Sequence, residues 1–277
     1  MDLKRLFLIV VAAFLGTGFV TDAFASNHRR GGGQDNGGKA SKKRQAQAPY
    51  SEYETKGLFA TGLVPVFPDG LDCPPISSPY GSQTRYDGSR RNNGHHGYHN
   101  GMDITLETGT PLLSVADGEV IHKGTAGQLV GNYVWLRLAP EATGLPIYIF
   151  VRYQHLDEPS ARNAGEKIVV GQSVGLAGNT GTTGGHFGSQ GYPHLHLVFY
   201  TGSTPEYTVK GPMIGPLSLN YLDPVGLYLG GSLSAISNHM LRDLPDARKN
   251  VRVPVKMMSG KIVPEESKVV WPVACRE

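Results

Sequence analysis

His194-Leu195-His196-Leu197-Val198-Phe199-Tyr200 alternates imidazole with leucine and then closes on β-branched and aromatic residues, the period and composition of a strand. Residues i and i+2 of a strand share a face, so His194 and His196 project together while Leu195 and Leu197 turn toward a core. Two imidazoles on one face can serve one metal ion; the same alternation also describes an ordinary surface strand. The preceding run from Gly178 to Gly191 is rich in glycine, which suits a loop that bends tightly or lets a substrate backbone approach.

Working outward, the apolar residues from Tyr50 onward alternate over short runs broken by Gly, Pro, Asn and Asp, and no long stretch keeps a helical period. An all-β fold is expected. Pro111 to Ala116 leads through the turn pair Asp117-Gly118 into Glu119-Val120-Ile121. Tyr133 to Leu138 and Ile147 to Tyr153 carry strand composition, and Ile168 to Gly175 is a strand-like run broken by glycines. After Gly230 the chain has a weakly helical start around Ser232 to Arg242, then Val251 to Val255 and Lys268 to Val273 as strand candidates.

His99-Asn100-Gly101-Met102-Asp103 supplies an imidazole and a carboxylate four residues apart, with Asn-Gly between them to bend the chain rather than continue a helix. Two nitrogens and one carboxylate are a known ligand set for catalytic zinc and leave a position open for water. His155 ends the Ile147 to Tyr153 strand and by alternation shares a face with Ile149, Val151 and Tyr153, the setting of a core histidine. His95, His96, His122 and His186 are expected in loops or facing solvent.

The two ends carry other information. Lys4 and Arg5, the apolar run Leu6 to Val20 and Ala23-Phe24-Ala25 have the order of a secretory signal occupying residues 1–25. No cysteine follows Ala25 directly and no arginine pair precedes the apolar run, so an exported protein of the periplasm or extracellular space is expected. Residues 26–49 hold Arg29, Arg30, Lys39, Lys42, Lys43 and Arg44 against Asp35, and so carry the basic character of a chain whose net charge is only +3. Nearly lacking apolar side chains, this stretch is expected to be a disordered linker, able to touch anionic envelope polymers. Ser26 to Gly70 is also a candidate inhibitory cover, because His28 and several carboxylates could approach a metal. Cys73 and Cys275 are the two cysteines in 277 residues, and export favours a disulfide between them.

Several blocks stand in a telling order: Ser78-Pro79-Tyr80-Gly81, His99-x3-Asp103, Ala116-Asp117-Gly118, Gly131-Asn132-Tyr133-Val134, Tyr153-Gln154-His155-Leu156, Gly171-Gln172, Gly178-Asn179-Thr180-Gly181 and His194-Leu195-His196. Over about Ser77 to Leu227 the chain resembles the lysostaphin and LytM-type zinc endopeptidases. The resemblance implies a small, mostly antiparallel β domain at residues 77–229 with a zinc-floored groove, flanked by extensions at 50–76 and 230–277. It implies one Zn²⁺ held by His99, Asp103 and His196, with His155 and His194 as catalytic histidines. The implied partner is peptidoglycan, at stem peptides or cross-bridges and with D,D bonds the first expectation. A monomer with no nucleic-acid partner is expected. Two other roles remain open: a non-catalytic LytM-like activator of other wall hydrolases, and a lysin that cuts glycyl-glycine bonds. Gln83 to Tyr98 and Gly185 to Tyr192 depart from the family pattern, and both would form groove walls.

Overall fold

The computed structural model describes residues 48–91, 94–182, 191–232 and 236–277. The expected signal, nearly all of the basic linker with His28, and His186 lie outside them. Eight strands form one antiparallel sheet: β1 (Ile76–Ser78), β2 (Met102–Thr105), β3 (Gly118–Thr125), β4 (Asn132–Leu138), β5 (Tyr148–Leu156), β6 (Lys167–Ile168), β7 (His194–Gly202) and β8 (Asn220–Leu222). The order across the sheet is β1-β2-β7-β5-β4-β3-β6. β8 pairs with the far half of β7, beyond the part that β2 occupies.

The alternation expected of His194 to Tyr200 is present, and both faces are covered. Leu195, Leu197 and Phe199 join Ile149, Val151 and Tyr153 of β5 and Val134, Leu136 and Leu138 of β4 in the main core. Each such side chain, taken fully from water, stabilises the fold by roughly 1.5–3 kcal/mol. On the opposite face Val198 and Tyr200 pack with Phe150, Trp135 and Tyr133 in a second cluster. Toward the start of β7 this face changes from apolar to polar, with His196 opposite both Asp103 of β2 and Gln154 of β5.

The flanking segments are built into the same core rather than appended to it. Val251, Val253, Val255, Val269, Trp271 and Val273 belong to the main cluster, and Val64–Val66 pairs in parallel with Asn250–Arg252. Cys73 and Cys275 are bridged across 202 residues, closing a loop worth about 5 kcal/mol in the chain-entropy account. The helix expected from Ser232 to Arg242 is the short Asn238–Arg242, started by Ser237, whose hydroxyl accepts the Met240 N–H. Lys268 to Val273 does not form the expected strand: it makes single bridges, Ala116 to Val269 and Leu112 to Val273, and Pro272 has no N–H to extend a ladder. Among the described residues no helix is long and apolar enough to cross a membrane.

Candidate metal centre and groove

Register places the first site residues. Asp103 lies directly across from His196, so one carboxylate and one imidazole meet on the sheet's polar face. Gly101 makes the approach of His99 possible: a Cβ there would lie 2.4 Å from the Leu197 carbonyl oxygen and 2.9 Å from His196 Cε1. Asn100-Gly101 therefore folds as the expected bend, against β7 itself.

The result is a triangle of donor atoms. His196 Nδ1 is 2.7 Å from Asp103 Oδ1, His99 Nε2 is 3.1 Å from the same oxygen, and the two nitrogens are 3.0 Å apart. His99 Nδ1 lies 3.0 Å from the Pro79 carbonyl; donating its proton there leaves Nε2 as a lone pair aimed into the triangle. One proton can bridge only one edge, so the remaining lone pairs face one another unless a cation sits among them. The chemistry of the donors thus fits a metal ion, and the outer supports are present too. Arg91 Nη2 donates to Asp103 Oδ2 at 3.2 Å and to Ser78 Oγ at 2.8 Å, while Pro79 orients His99. Such partners fix ligand geometry.

His155 departs from its strand alternation. Its φ is +62°, and the ladder slips between Asn132 and Tyr133, with Asn132 opposite Leu156 and Tyr133 opposite Gln154. This bulge turns the ring from the core face to the groove face, 4.6 Å from His194 between centroids. A non-glycine residue in this conformation persists only where its surroundings impose it. Here Thr180 does so: its carbonyl lies 2.8 Å from His155 Nδ1, and its hydroxyl donates to the Leu156 carbonyl. Thr180 in turn sits against Gly131 (φ +64°), where a Cβ would come 2.0 Å from the Thr180 oxygen. The two glycine-containing motifs therefore meet backbone to backbone and position one histidine. His194 is held likewise, with Nδ1 2.9 Å from the Tyr192 carbonyl and its ring stacked on Tyr192 at 4.2 Å. In both rings Nδ1 faces a backbone carbonyl, so an exchange of a proton with the groove would use Nε2.

The five residues share a cleft of about 320 Å³. Burial pushes His155 and His194 below the usual imidazole range and His196 down to about 3. Burial alone would raise the Asp103 carboxyl, but His99, His194 and His196 outweigh it and hold it well below the carboxylate range. The Gln83 to Tyr98 segment does form a wall, through Arg85, Arg91, His95 and Tyr98. His95 lies in the short turn His95–Gly97, in the loop setting expected, but is partly buried there: it packs edge-on to Tyr53 and Tyr221, and burial takes it down to about 4. His122 is half-buried, 2.9 Å from the Tyr133 hydroxyl.

The described part of the expected inhibitory segment takes another place. The helix Tyr50–Thr55 stacks Tyr50 on Tyr98 at 4.6 Å and sets Tyr53 against His95. Residues 48–70 do not line the groove; they brace its wall from behind.

This geometry brings together three side chains that could hold a metal ion, with two further histidines in the groove beside them. Residues 97–206 match the model of peptidase family M23, a span that includes all five site residues, and the region is an M23 peptidase domain. Peptidoglycan DD-endopeptidase ShyC of Vibrio cholerae is 35% identical over 101 residues, 36% of this chain and 20% of that protein. Glycyl-glycine endopeptidase ALE-1 of Staphylococcus capitis is 29% identical over 117 residues, 42% of this chain and 28% of that protein. The chain therefore spans well under a third of these relatives' lengths. A solved catalytic domain of lysostaphin from Staphylococcus simulans aligns at 21% identity and a TM-score of 0.35, covering 54% of this chain and 85% of that one.

Proposed function

We propose that this protein is an exported, zinc-dependent endopeptidase that hydrolyses peptide cross-links of bacterial peptidoglycan, D,D bonds foremost. The observation that carries the reading is the convergence of His99, Asp103 and His196 beside two further imidazoles, each with Nδ1 against a backbone carbonyl. Zinc held by the three residues would supply Lewis-acid polarisation of the scissile carbonyl and an acidified water. His155 and His194 supply the proton handling: either Nε2 can take a proton from water, and the protonated ring can then donate to the developing oxyanion or the leaving amine. His194 Nε2 lies 3.8 Å from Asp103 Oδ1, a carboxylate that partly offsets the cost of charging this buried ring. Five intact site residues support an enzyme over a non-catalytic activator. Export rests on the signal-like residues 1–25, and the basic tail would hold the enzyme near anionic envelope polymers.

Full-length mature protein should contain about one zinc per chain, the count of a mononuclear site, and release soluble muropeptides from isolated sacculi. Mass spectrometry of the fragments names the bond cut. His196→Ala should lose both metal and release. Equal product from the wild type and His196→Ala, or none from either while a partner amidase is stimulated, sinks the enzyme reading.

A further inference from the structure

Arg152 is a buried cation with no anion. It is 4% exposed, and among the described residues it forms no ion pair with a carboxylate. Its guanidinium lies over Trp135 at 5.1 Å, Nη1 donates to the thioether of Met213, and Nε has no hydrogen-bond partner. The ionisable groups around it are phenols and imidazoles: Tyr133, Tyr200, Tyr221, His95 and His196. Two residues along the same strand face, Gln154 Oε1 is also buried and unpartnered, while its amide nitrogen donates to the Leu129 carbonyl. Both side chains line the groove. An unpaired buried guanidinium is costly unless a ligand supplies the charge it lacks.

We propose that Arg152 and Gln154 form a subsite for a free carboxylate of the peptide substrate, the guanidinium pairing with the carboxylate and Gln154 Oε1 accepting the adjoining amide N–H. This deepens the endopeptidase reading and rests on it. The pair Val198–Arg152 follows His196–Gln154 along the ladder, so the subsite lies on the order of 7 Å from the metal ligand, two residues of strand. An extended peptide covers that distance in about two residues. The carboxylate therefore belongs to a residue flanking the scissile bond. The interior of a glycine bridge has none, so the subsite selects stem peptides. A planar guanidinium suits two-point carboxylate recognition.

The test uses full-length mature protein and synthetic cross-linked stem peptides in which each carboxylate flanking the cleaved bond is replaced in turn by carboxamide. One replacement should lower wild-type kcat/KM roughly 10- to 100-fold, mainly through KM, the factor a charge-assisted hydrogen bond supplies. In Arg152→Gln that ratio should collapse toward unity, with Arg152→Lys between the two. A wild type indifferent to every replacement, or a ratio that survives in Arg152→Gln, overturns the subsite. Should Arg152→Gln fail to fold, ¹⁵N NMR of the wild-type Arg152 Nε–H decides: it should move on titration with the acidic peptide and not with its amide, and no such difference overturns the subsite. If the wild type cleaves nothing, the endopeptidase reading fails, and the same titration still reads the carboxylate site.

Discussion

Asp103 and Asp223 are equally buried, each 3% exposed, yet they are opposite in charge behaviour. Around Asp103 stand His99, His196 and Arg91 within 3.2 Å, and the carboxyl is held well below its usual range. Around Asp223, among the described residues, stand only neutral donors: the Thr61 hydroxyl at Oδ2 and the Val225 N–H at Oδ1. Burial there wins and raises the carboxyl to about 6. Depth alone therefore does not set a carboxylate's role; the partners do. The imidazoles at Asp103 bring lone pairs of their own, so that region calls for a cation. The donors at Asp223 are satisfied, and Asn238 completes a knot by accepting the Asp223 N–H and donating to the Gly57 carbonyl. One aspartate belongs to the candidate metal site and the other to the joint between the chain's early and late segments.

The largest expected effect breaks the comparison if it fails. Asp103→Asn should take hydrolysis to background and release the metal, while Asp223→Asn should cleave at the wild-type rate; metal content and muropeptide release measured side by side decide it. Equal activity of the two variants would remove Asp103 from the site. Next in size, His155→Ala should keep its metal yet lose roughly 10²- to 10⁴-fold in kcat, the range for a lost acid–base group. Loss of metal in this variant would instead make His155 a ligand.

A third variant compares the two faces of a single strand. Leu197, fully buried beside His196, belongs to the core face. Leu197→Ala should cost about 2–5 kcal/mol in denaturant unfolding with kcat retained at a temperature where the variant is folded. A loss of kcat without a loss of stability would mean that the faces are not independent.

What could be read from the sequence follows how far each signal extends along the chain. β4, β5 and β7 are seven to nine residues long, enough to establish an alternation, and His194 with His196 could be assigned to one face from that alone. β1 and β8 have three residues and β2 four, too few for a period, so Asp103 could be read as part of a bend but not as the cross-strand partner of His196. His155 was legible as a strand end, whereas its face was not, because the bulge depends on Thr180 in a distant loop. Arg91 and Arg152 look like any other polar residue in sequence; one is defined by a contact with Asp103 and the other by the absence of an acidic partner. The segment after Gly230 showed no chemistry, and its part in the core is fixed by pairing with Val64–Val66 and by the Cys73–Cys275 bridge.

The smallest expected effect sharpens the comparison through pH. For Asp223 the folded carboxyl titrates at about 6, against 3.8 ordinarily. Below pH 4 both folded and unfolded chains hold the proton, and this residue's contribution is at its most favourable. Between pH 4 and 6 the folded state keeps a proton that the unfolded state has lost, so stability falls as pH rises, by roughly 3 kcal/mol in all at 1.36 kcal/mol per unit. Above 6 the loss is complete and constant. Other carboxyls titrate over the same span, but they do so in the wild type and in Asp223→Asn alike. The difference in unfolding free energy between these two proteins isolates the one group. Relative to the wild type, Asp223→Asn should gain stability as pH is raised from 4 to 6 and hold that gain above it. A difference independent of pH would mean that Asp223 is ionised in the fold, as Asp103 is, and that burial had not separated the two.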